Sequence, residues 1–354
     1  MIAFLFYLSF LFLFVILAVY AERKVSAFMQ DRVGPMVAGK YGILQTLADV
    51  LKMLQKEDIK PYAIDKKLFL FAPFVIFASV FAGFAVLPLT SGIRGSAAET
   101  GIYFLLGVVS LDVVGILMAG WGSNSKFSLF GAMRSVAQIM SYEIPLGLAV
   151  LCVIMVAQTL DLQEISFQQG IFNDNNLVEN GTITSLGGVL SWNIFRHPFL
   201  IIAFVIYFIA SLAESNRTPF DLPESESELI GGFQTEYSGF RWAIIMLAEY
   251  GMMLLVSILG VVLFLGSWNT PFPNVAGLPL AQWTSGEPGT FSGHAWGVFW
   301  LISKSMILIY VQMWVRWTLP RVRVDQMMNI SWKYLTPIGL GLVFIAGIWK
   351  LWVL

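Results

Sequence analysis

Cysteine, histidine and charged side chains are all scarce in this chain of 354 residues. The single cysteine, Cys152, excludes an internal disulfide and any cysteine-ligated iron–sulfur cluster or zinc site. The two histidines, His197 and His294, could in principle hold one haem, but the topology below predicts that both lie at the outer surface. No glycine-rich dinucleotide motif or phosphate loop occurs. We therefore expect no cofactor and no metal on this chain, and any electrons must come from a partner.

Charged residues make up only 12% of the chain and hydrophobic residues 57%, with a mean hydropathy of +0.75. A soluble domain of this length would need more polar surface. The apolar residues instead form runs near the length of about 20 that crosses a bilayer. We predict an all-α integral membrane protein with about eight spans, at 2–21, 68–90, 101–121, 138–159, 198–214, 241–266, 295–315 and 335–353. The first run could be a signal peptide, but it lacks a basic start and is too long, so we keep it as a span.

Lysine and arginine predict the orientation, because cytoplasmic loops are enriched in them. Most of them fall in four alternate loops, which we assign to the cytoplasm: 22–67, 122–137, 215–240 and 316–334. The rest of the chain holds only Arg94, Arg196, Lys304, Lys350 and Arg241, and Arg241 stands at the cytoplasmic end of the sixth predicted span. The basic loops therefore place both chain termini on the outer side of the membrane, which in a bacterial inner membrane would be the periplasmic side.

Residues 43–56 are too short and too polar to span the membrane, yet their apolar side chains recur at helical spacing. Asp49, Lys52 and Lys56 line the opposite face. This pattern predicts an amphipathic helix on the membrane surface. A simple interfacial anchor is the plainer interpretation of this segment.

Carboxylates inside the spans are the second functional signal, since an ionisable group in the membrane is expensive and is expected to face the bundle interior. Asp112, Glu143, Glu214 and Glu249 lie in or at the ends of spans, and Lys304 lies inside the seventh span. At a rise of about 1.5 Å per residue, Glu249 and Asp112 lie roughly 12 and 14 Å from the cytoplasmic ends of their helices. The carboxylates thus form a ladder that stops near mid-membrane, and we infer that a proton is passed sideways to a neighbouring protein. A structural ion pair is the alternative, for Lys304 in particular.

The cytoplasmic segments resemble those of one family, the quinone-chamber membrane subunit (the H type) of respiratory complex I, the proton-pumping NADH:quinone oxidoreductase. The matching segments are AERKVSAFMQDRVGP (21–35), YGILQTLADVLKMLQKE (41–57), AGWGSNSKFSLFGAMRSVAQIMSYEIPLG (119–147), AESNRTPFDLPESESELIGGFQTEYSGFRWAIIMLAEY (213–250) and LPRVRVDQMM (319–328). The loop around 216–237 is the most specific of these. Val33 departs from the pattern, because many relatives have a lysine there.

The resemblance implies that the cytoplasmic loops form a quinone chamber capped by a peripheral arm. It assigns a quinone-binding role to Arg32, Asp49, Lys52, Phe220, Asp221 and Glu224. It assigns a proton-linked role to Asp112, Glu143, Glu214, Glu228, Glu236, Glu249 and Lys304. It further implies quinone as substrate and FMN and iron–sulfur clusters on partner subunits. The expected partners are the quinone-site subunits of the peripheral arm, small and antiporter-like membrane subunits, and lipid, but not nucleic acid.

Three other functions fit some of these features. A stand-alone ion transporter would use intramembrane carboxylates too, but it should have a polar outer half-channel, which the sequence lacks. A structural anchor would explain the basic surface helix but not the buried carboxylates. A related protein of a membrane-bound hydrogenase is the nearest competitor, and the acidic loop argues against it.

Overall fold

The computed structural model describes residues 2–171, 187–222, 230–274 and 280–353, and all structural statements below refer to these residues. The longer helices are α1 (Ile2–Met29), α2 (Gln45–Gln55), α3 (Lys66–Gly83), α4 (Gly101–Val109), α5 (Leu111–Gly122), α6 (Lys126–Ala157), α9 (Pro198–Glu214), α10 (Gly239–Phe264), α12 (Phe291–Thr318) and α14 (Thr336–Val353). Short helices are α7 (Leu162–Gln168), α8 (Asn193–Arg196), α11 (Leu280–Ser285) and α13 (Val324–Asn329). A π-helical turn, Ile330–Leu335, joins α13 to α14.

The helical architecture follows from the absence of water in the bilayer core, where each backbone N–H and C=O must find a partner within the helix. Seven helical segments of the described chain are long and apolar enough to cross a membrane, and α9 is a shorter apolar helix of 17 residues. The prediction of an all-α integral membrane protein is thereby confirmed. Each of the eight predicted spans falls on one of these helical segments.

Three of the differences between the helix boundaries and the predicted spans affect the site. The third span is two helices, α4 and α5, which meet at Ser110, so Asp112 stands in the first turn of α5. Helix α6 begins at Lys126, well inside the predicted loop 122–137, because hydropathy marks the membrane and does not detect a helix that continues beyond it. For the same reason α1 runs on to Met29, into the predicted loop 22–67.

Helix α10 is the centre of the bundle. Every residue from Tyr250 to Phe264 is buried, and the helix packs against α3, α9 and α12. Helices α5 and α3 also pack closely against each other. A Cβ added at Gly115 would stand 2.9 Å from the backbone nitrogen of Ile76, and one at Gly122 would stand 2.8 Å from that of Phe69. Glycine at these positions therefore lets the two helices approach closely and brings Asp112 into the interior.

Candidate functional site

The segment that follows α9 is folded back into the protein. Every described residue from Glu214 to Asp221 is buried except Thr218, which is half-buried. Gln138 of α6 donates from Nε2 to the carbonyl oxygen of Ala213 at 2.8 Å and to Oδ1 of Asn216 at 3.2 Å. Asn216 has a φ of 49°, in the left-handed region that asparagine tolerates, and so reverses the chain at the end of α9. We call this end of the bundle the loop end.

Three of the predicted proton-linked carboxylates line a single cavity at the loop end. Asp112 from α5, Glu214 from α9 and Glu249 from α10 share it with Phe233 and Asn216. Asp112 and Glu214 are each 7% exposed, which shields them from bulk water. The structure therefore brings together residues from helices that are widely separated along the chain.

Two further side chains adjoin the cavity lined by Asp112, Glu214 and Glu249, which we call the carboxylate cavity. Glu143 of α6 lies within electrostatic range of Glu214, as does Asp112. Gln234 donates a short hydrogen bond from Nε2 to Oε1 of Glu249. The carbonyl oxygen of Phe233 accepts from the hydroxyl of Ser128 at 3.3 Å, so the segment that carries Gln234 is attached to α6. Carboxylates that line one cavity repel one another when they are charged, so a proton held by one of them affects its neighbours.

Sequence reasoning missed an ion cluster next to this cavity. Glu22, which falls in the predicted first cytoplasmic loop, lies on the extended α1 and is 6% exposed. Its carboxylate pairs with Arg217 at 3.2 Å and with Arg316, and it accepts from the hydroxyl of Tyr250 at 2.6 Å. The guanidinium carbon of Arg217 also lies 4.4 Å from the centroid of the Tyr250 ring.

In the ion cluster of Glu22, Arg217, Arg316 and Tyr250, the pKa of Arg217 is shifted upward. Burial alone would lower the pKa of Arg217, but Glu22, Tyr250 and Glu249 together raise it above its ordinary value. Arg217 therefore stays positively charged beside the carboxylate cavity. The only signal in the sequence was an acidic residue directly after an apolar run, and its partners lie far away along the chain.

The predicted quinone-binding residues fall into two groups in the structure. Near the surface helix α2, Asp49 pairs with Arg23 at 2.5 Å and accepts from Gln45 at 3.2 Å. Arg32 is exposed and donates to Oε1 of Gln30 and to the hydroxyl of Ser26, and Lys52 is exposed. None of the contacts of Arg32 or Asp49 within the described ranges reaches the carboxylate cavity.

The second group lies in the loop itself. The ring of Phe220 is buried with its centroid 5.0 Å from that of Tyr142, and Asp221 pairs with Arg321 at 3.3 Å. Glu236 is half-buried. Its neighbour Tyr237 stacks on Phe69, and burial raises the pKa of Tyr237 above its ordinary value although Arg241 opposes this. Glu224 and Glu228 lie outside the described residues.

Lys304 lies apart from the carboxylates, near the other end of α10. Its ammonium donates to the carbonyl oxygens of residues 265, 267 and 269 at 2.8, 2.9 and 2.6 Å, and it stands 4.2 Å from the centroid of the Trp192 ring. Among its described partners there is no carboxylate, so the alternative of a structural ion pair finds no partner for Lys304 in the described residues. Backbone carbonyls of the segment that follows the end of α10 accept from all three N–H groups instead.

The two histidines are also separated in the fold. His294 shares a hydrogen bond of 2.9 Å with Thr90, whereas His197 packs near Phe199 and Trp349. In the described part of the chain, no group of three or more His, Cys, Asp or Glu side chains could hold a metal ion.

The fold and the site define a multi-pass α-helical membrane protein with buried carboxylates and an arginine–glutamate cluster beneath one folded loop. Comparison with known proteins makes this more specific. The family model described as NADH dehydrogenase matches residues 2–347. The NADH-quinone oxidoreductase H subunit numbered 2 of Cytophaga hutchinsonii is 57% identical, with 98% of both chains covered. The H subunit of the same enzyme from Chlorobium luteolum is 52% identical over 95% of this chain and 84% of its own length, and that from Bacillus mycoides is 42% identical over 95% and 90%. The chain belongs to the H-subunit family of NADH-quinone oxidoreductase.

Proposed function

We propose that this chain forms the membrane side of a quinone chamber in a proton-pumping NADH:quinone oxidoreductase and relays charge from that chamber into the membrane. The observation that carries this proposal is the single cavity shared by Asp112, Glu214 and Glu249. The chamber would lie at the loop end, which we assign to the cytoplasmic side, with both chain termini on the periplasmic side. The surrounding partners would be peripheral-arm subunits, which hold the FMN and iron–sulfur clusters, and small and antiporter-like membrane subunits.

The path of quinone would begin at the membrane surface, beside α1 and α2. The apolar face of α2 is exposed at Leu47, Val50, Leu51 and Leu54, as a lipid-soluble substrate entering from the bilayer requires. Asp49 and Lys52 flank this face, and Arg32 lies on the turn that follows α1. We assign these polar side chains to orienting the headgroup. Phe220 and Asp221, with Glu224, would border the inner part of the chamber.

Reduction of a quinone adds two electrons and two protons, and the electrons would be supplied from the peripheral arm. The reduced headgroup takes protons or leaves negative charge in a site of low dielectric constant, where a charge acts strongly on its neighbours. The permanently charged Arg217 belongs to the ion cluster and lies within electrostatic range of Glu249, so it would transmit this change to the carboxylate cavity. Proton uptake would then pass among Glu249, Glu214, Asp112 and Glu143.

Three predicted residues take a different place in this proposal. Glu228 and Glu236 belong to the predicted cytoplasmic loop 215–240, and we assign them to proton entry. We leave Lys304 out of the relay, because its three N–H groups are occupied by carbonyl oxygens and it lies away from the carboxylates.

The proposal is tested by Glu249→Gln in the assembled complex. The amide keeps the size of the side chain and an acceptor for Gln234 but removes the carboxylate that can take up and release a proton. We expect quinone reduction and proton pumping to fall together, by one order of magnitude or more, corresponding to about 1.4 kcal/mol or more on the rate-limiting barrier. Assembly is checked on native gels.

Glu164→Gln is the matched control. This carboxylate is also half-buried and also accepts a hydrogen bond, in this case from Thr159 at 2.6 Å, but it lies on α7, away from the cavity. Both activities should stay at the parental level in this control. Parental activity in an assembled Glu249→Gln complex would refute the relay, and proton transport by the isolated chain would favour the stand-alone transporter.

A further inference from the structure

A group of basic side chains lies at the end of the bundle opposite the loop end. Arg196 ends α8, His197 precedes α9, and Lys350 lies in the last turn of α14. His197 directly follows Arg196, and the centroid of its ring lies 6.1 Å from that of Trp349, the neighbour of Lys350, so the three basic residues lie close together. These residues come from chain segments that are far apart in sequence, and nothing in the quinone chamber uses them.

This basic group has no acidic partner in the described part of the chain. Arg196 and Lys350 take part in none of its ion pairs, and the one protein acceptor for Lys350 is the carbonyl oxygen of Val156, at 3.5 Å. Arg94, at the same end of the bundle, instead pairs with Asp161 at 3.4 Å. Nδ1 of His197 is buried and has no hydrogen-bond partner among the described residues. Like charges gathered without a counter-charge favour the binding of an anion.

The surroundings of the group indicate which anion it would meet. Phe195, Trp349 and Trp352 are exposed around it, at 50%, 40% and 90%. Exposed tryptophans at the end of a membrane helix mark the level of the lipid headgroups. Basic side chains between membrane helices at that level can hold an anionic headgroup by charge and by charge-assisted hydrogen bonds.

We propose that Arg196 and Lys350, with the ring nitrogen of His197, bind the phosphate of an anionic phospholipid. Arg196 offers a planar pair of N–H donors that matches phosphate geometry, and Lys350 adds a point charge from the neighbouring helix. Burial, together with Arg196 and Lys350, lowers the pKa of His197 to about 4, so its ring is neutral at pH 7 and adds a hydrogen bond without further repulsion. The bound lipid would connect the start of α9 to the end of α14.

Photolabelling of the whole complex tests this site. The purified complex is placed in nanodiscs of phosphatidylcholine that contain a trace of phosphatidylglycerol with a photoreactive headgroup. Labelled peptides are then identified by mass spectrometry. We expect label near residues 193–200 and 346–352, which unlabelled phosphatidylglycerol displaces and extra phosphatidylcholine does not.

Variants measure the contribution of each basic residue. A basic side chain near a membrane surface contributes about 1 kcal/mol toward an anionic lipid, which corresponds to roughly fivefold in affinity. Arg196→Gln and Lys350→Gln should each weaken displacement by unlabelled phosphatidylglycerol about fivefold, and the double variant about 25-fold. Arg94→Gln, which alters a paired arginine at the same end, should leave it unchanged.

Native gels and quinone reductase activity confirm that the variants assemble, since none of these residues lies at the loop end. Equal displacement by both lipids, or an unchanged double variant, would overturn the proposal. Protection by millimolar inorganic phosphate alone would overturn it as well, because it would make the ligand a soluble anion and not a lipid.

Discussion

The ion cluster of Glu22, Arg217, Arg316 and Tyr250 allows a prediction with a definite magnitude. Glu22→Gln leaves two arginines without their carboxylate, and the side chain of Arg217 is only 7% exposed. Removing one partner of a buried ion pair costs about 3–5 kcal/mol, because the remaining charge stays desolvated. Asp49→Asn breaks the pair with Arg23, whose side chains are 33% and 43% exposed respectively, and exposed pairs contribute only about 0.2–1 kcal/mol.

The same geometry predicts an unequal effect of the two partners. Arg217→Gln leaves Glu22 paired with Arg316, so it should destabilise the protein less than Glu22→Gln does. The double variant Glu22→Gln with Arg217→Gln removes one negative and one positive charge. It should therefore destabilise the protein less than the two single changes added together.

Cys152 supplies the assay, because it is the only cysteine of this chain and is fully buried. The intact complex is heated, treated with a fluorescent maleimide and separated on a denaturing gel, where the band of this protein reports exposure of Cys152. We expect labelling of Glu22→Gln at the lowest temperature, then Arg217→Gln, with Asp49→Asn close to the parent. If Glu22→Gln labels no earlier than Asp49→Asn, the ion cluster does not contribute the stability assigned to it.

Two further predictions concern packing. Gly115→Ala puts a Cβ 2.6 Å from Cγ1 of Ile76 and should destabilise the protein by about 1–3 kcal/mol. The added Cβ of Gly107→Ala meets nothing within 4 Å, so this variant should be neutral or slightly stabilising. The labelling of Cys152 on heating distinguishes the two variants, and equal behaviour would contradict the close approach of α5 to α3. Lys304→Met leaves three carbonyl oxygens without the ammonium donor and should lower the yield of assembled complex on native gels. The complex that does assemble should keep the parental ratio of protons pumped to electrons transferred. A lowered ratio would return Lys304 to the proton relay.

Several features of this protein follow from its sequence alone, because they depend on local composition. Apolar runs near the length of a bilayer crossing identify the membrane helices, and helical spacing of Leu47, Leu51 and Leu54 predicts α2. Carboxylates such as Asp112 and Glu249 could be recognised as facing the bundle interior, since a charge within an apolar run must avoid lipid. The resemblance of the loops to the H-type family agrees with the relatives found.

Other features depended on the tertiary structure, because they join residues that are distant along the chain. Sequence could place Asp112 and Glu249 at similar depths, but only the packing of α5, α9 and α10 puts them in one cavity with Glu214. Glu22 could be recognised neither as buried nor as paired until Arg217 and Arg316 were seen beside it. A local pattern fixes where a side chain sits along its own helix. The partner of a buried charge is decided by which helices pack together, and that is a property of the whole bundle.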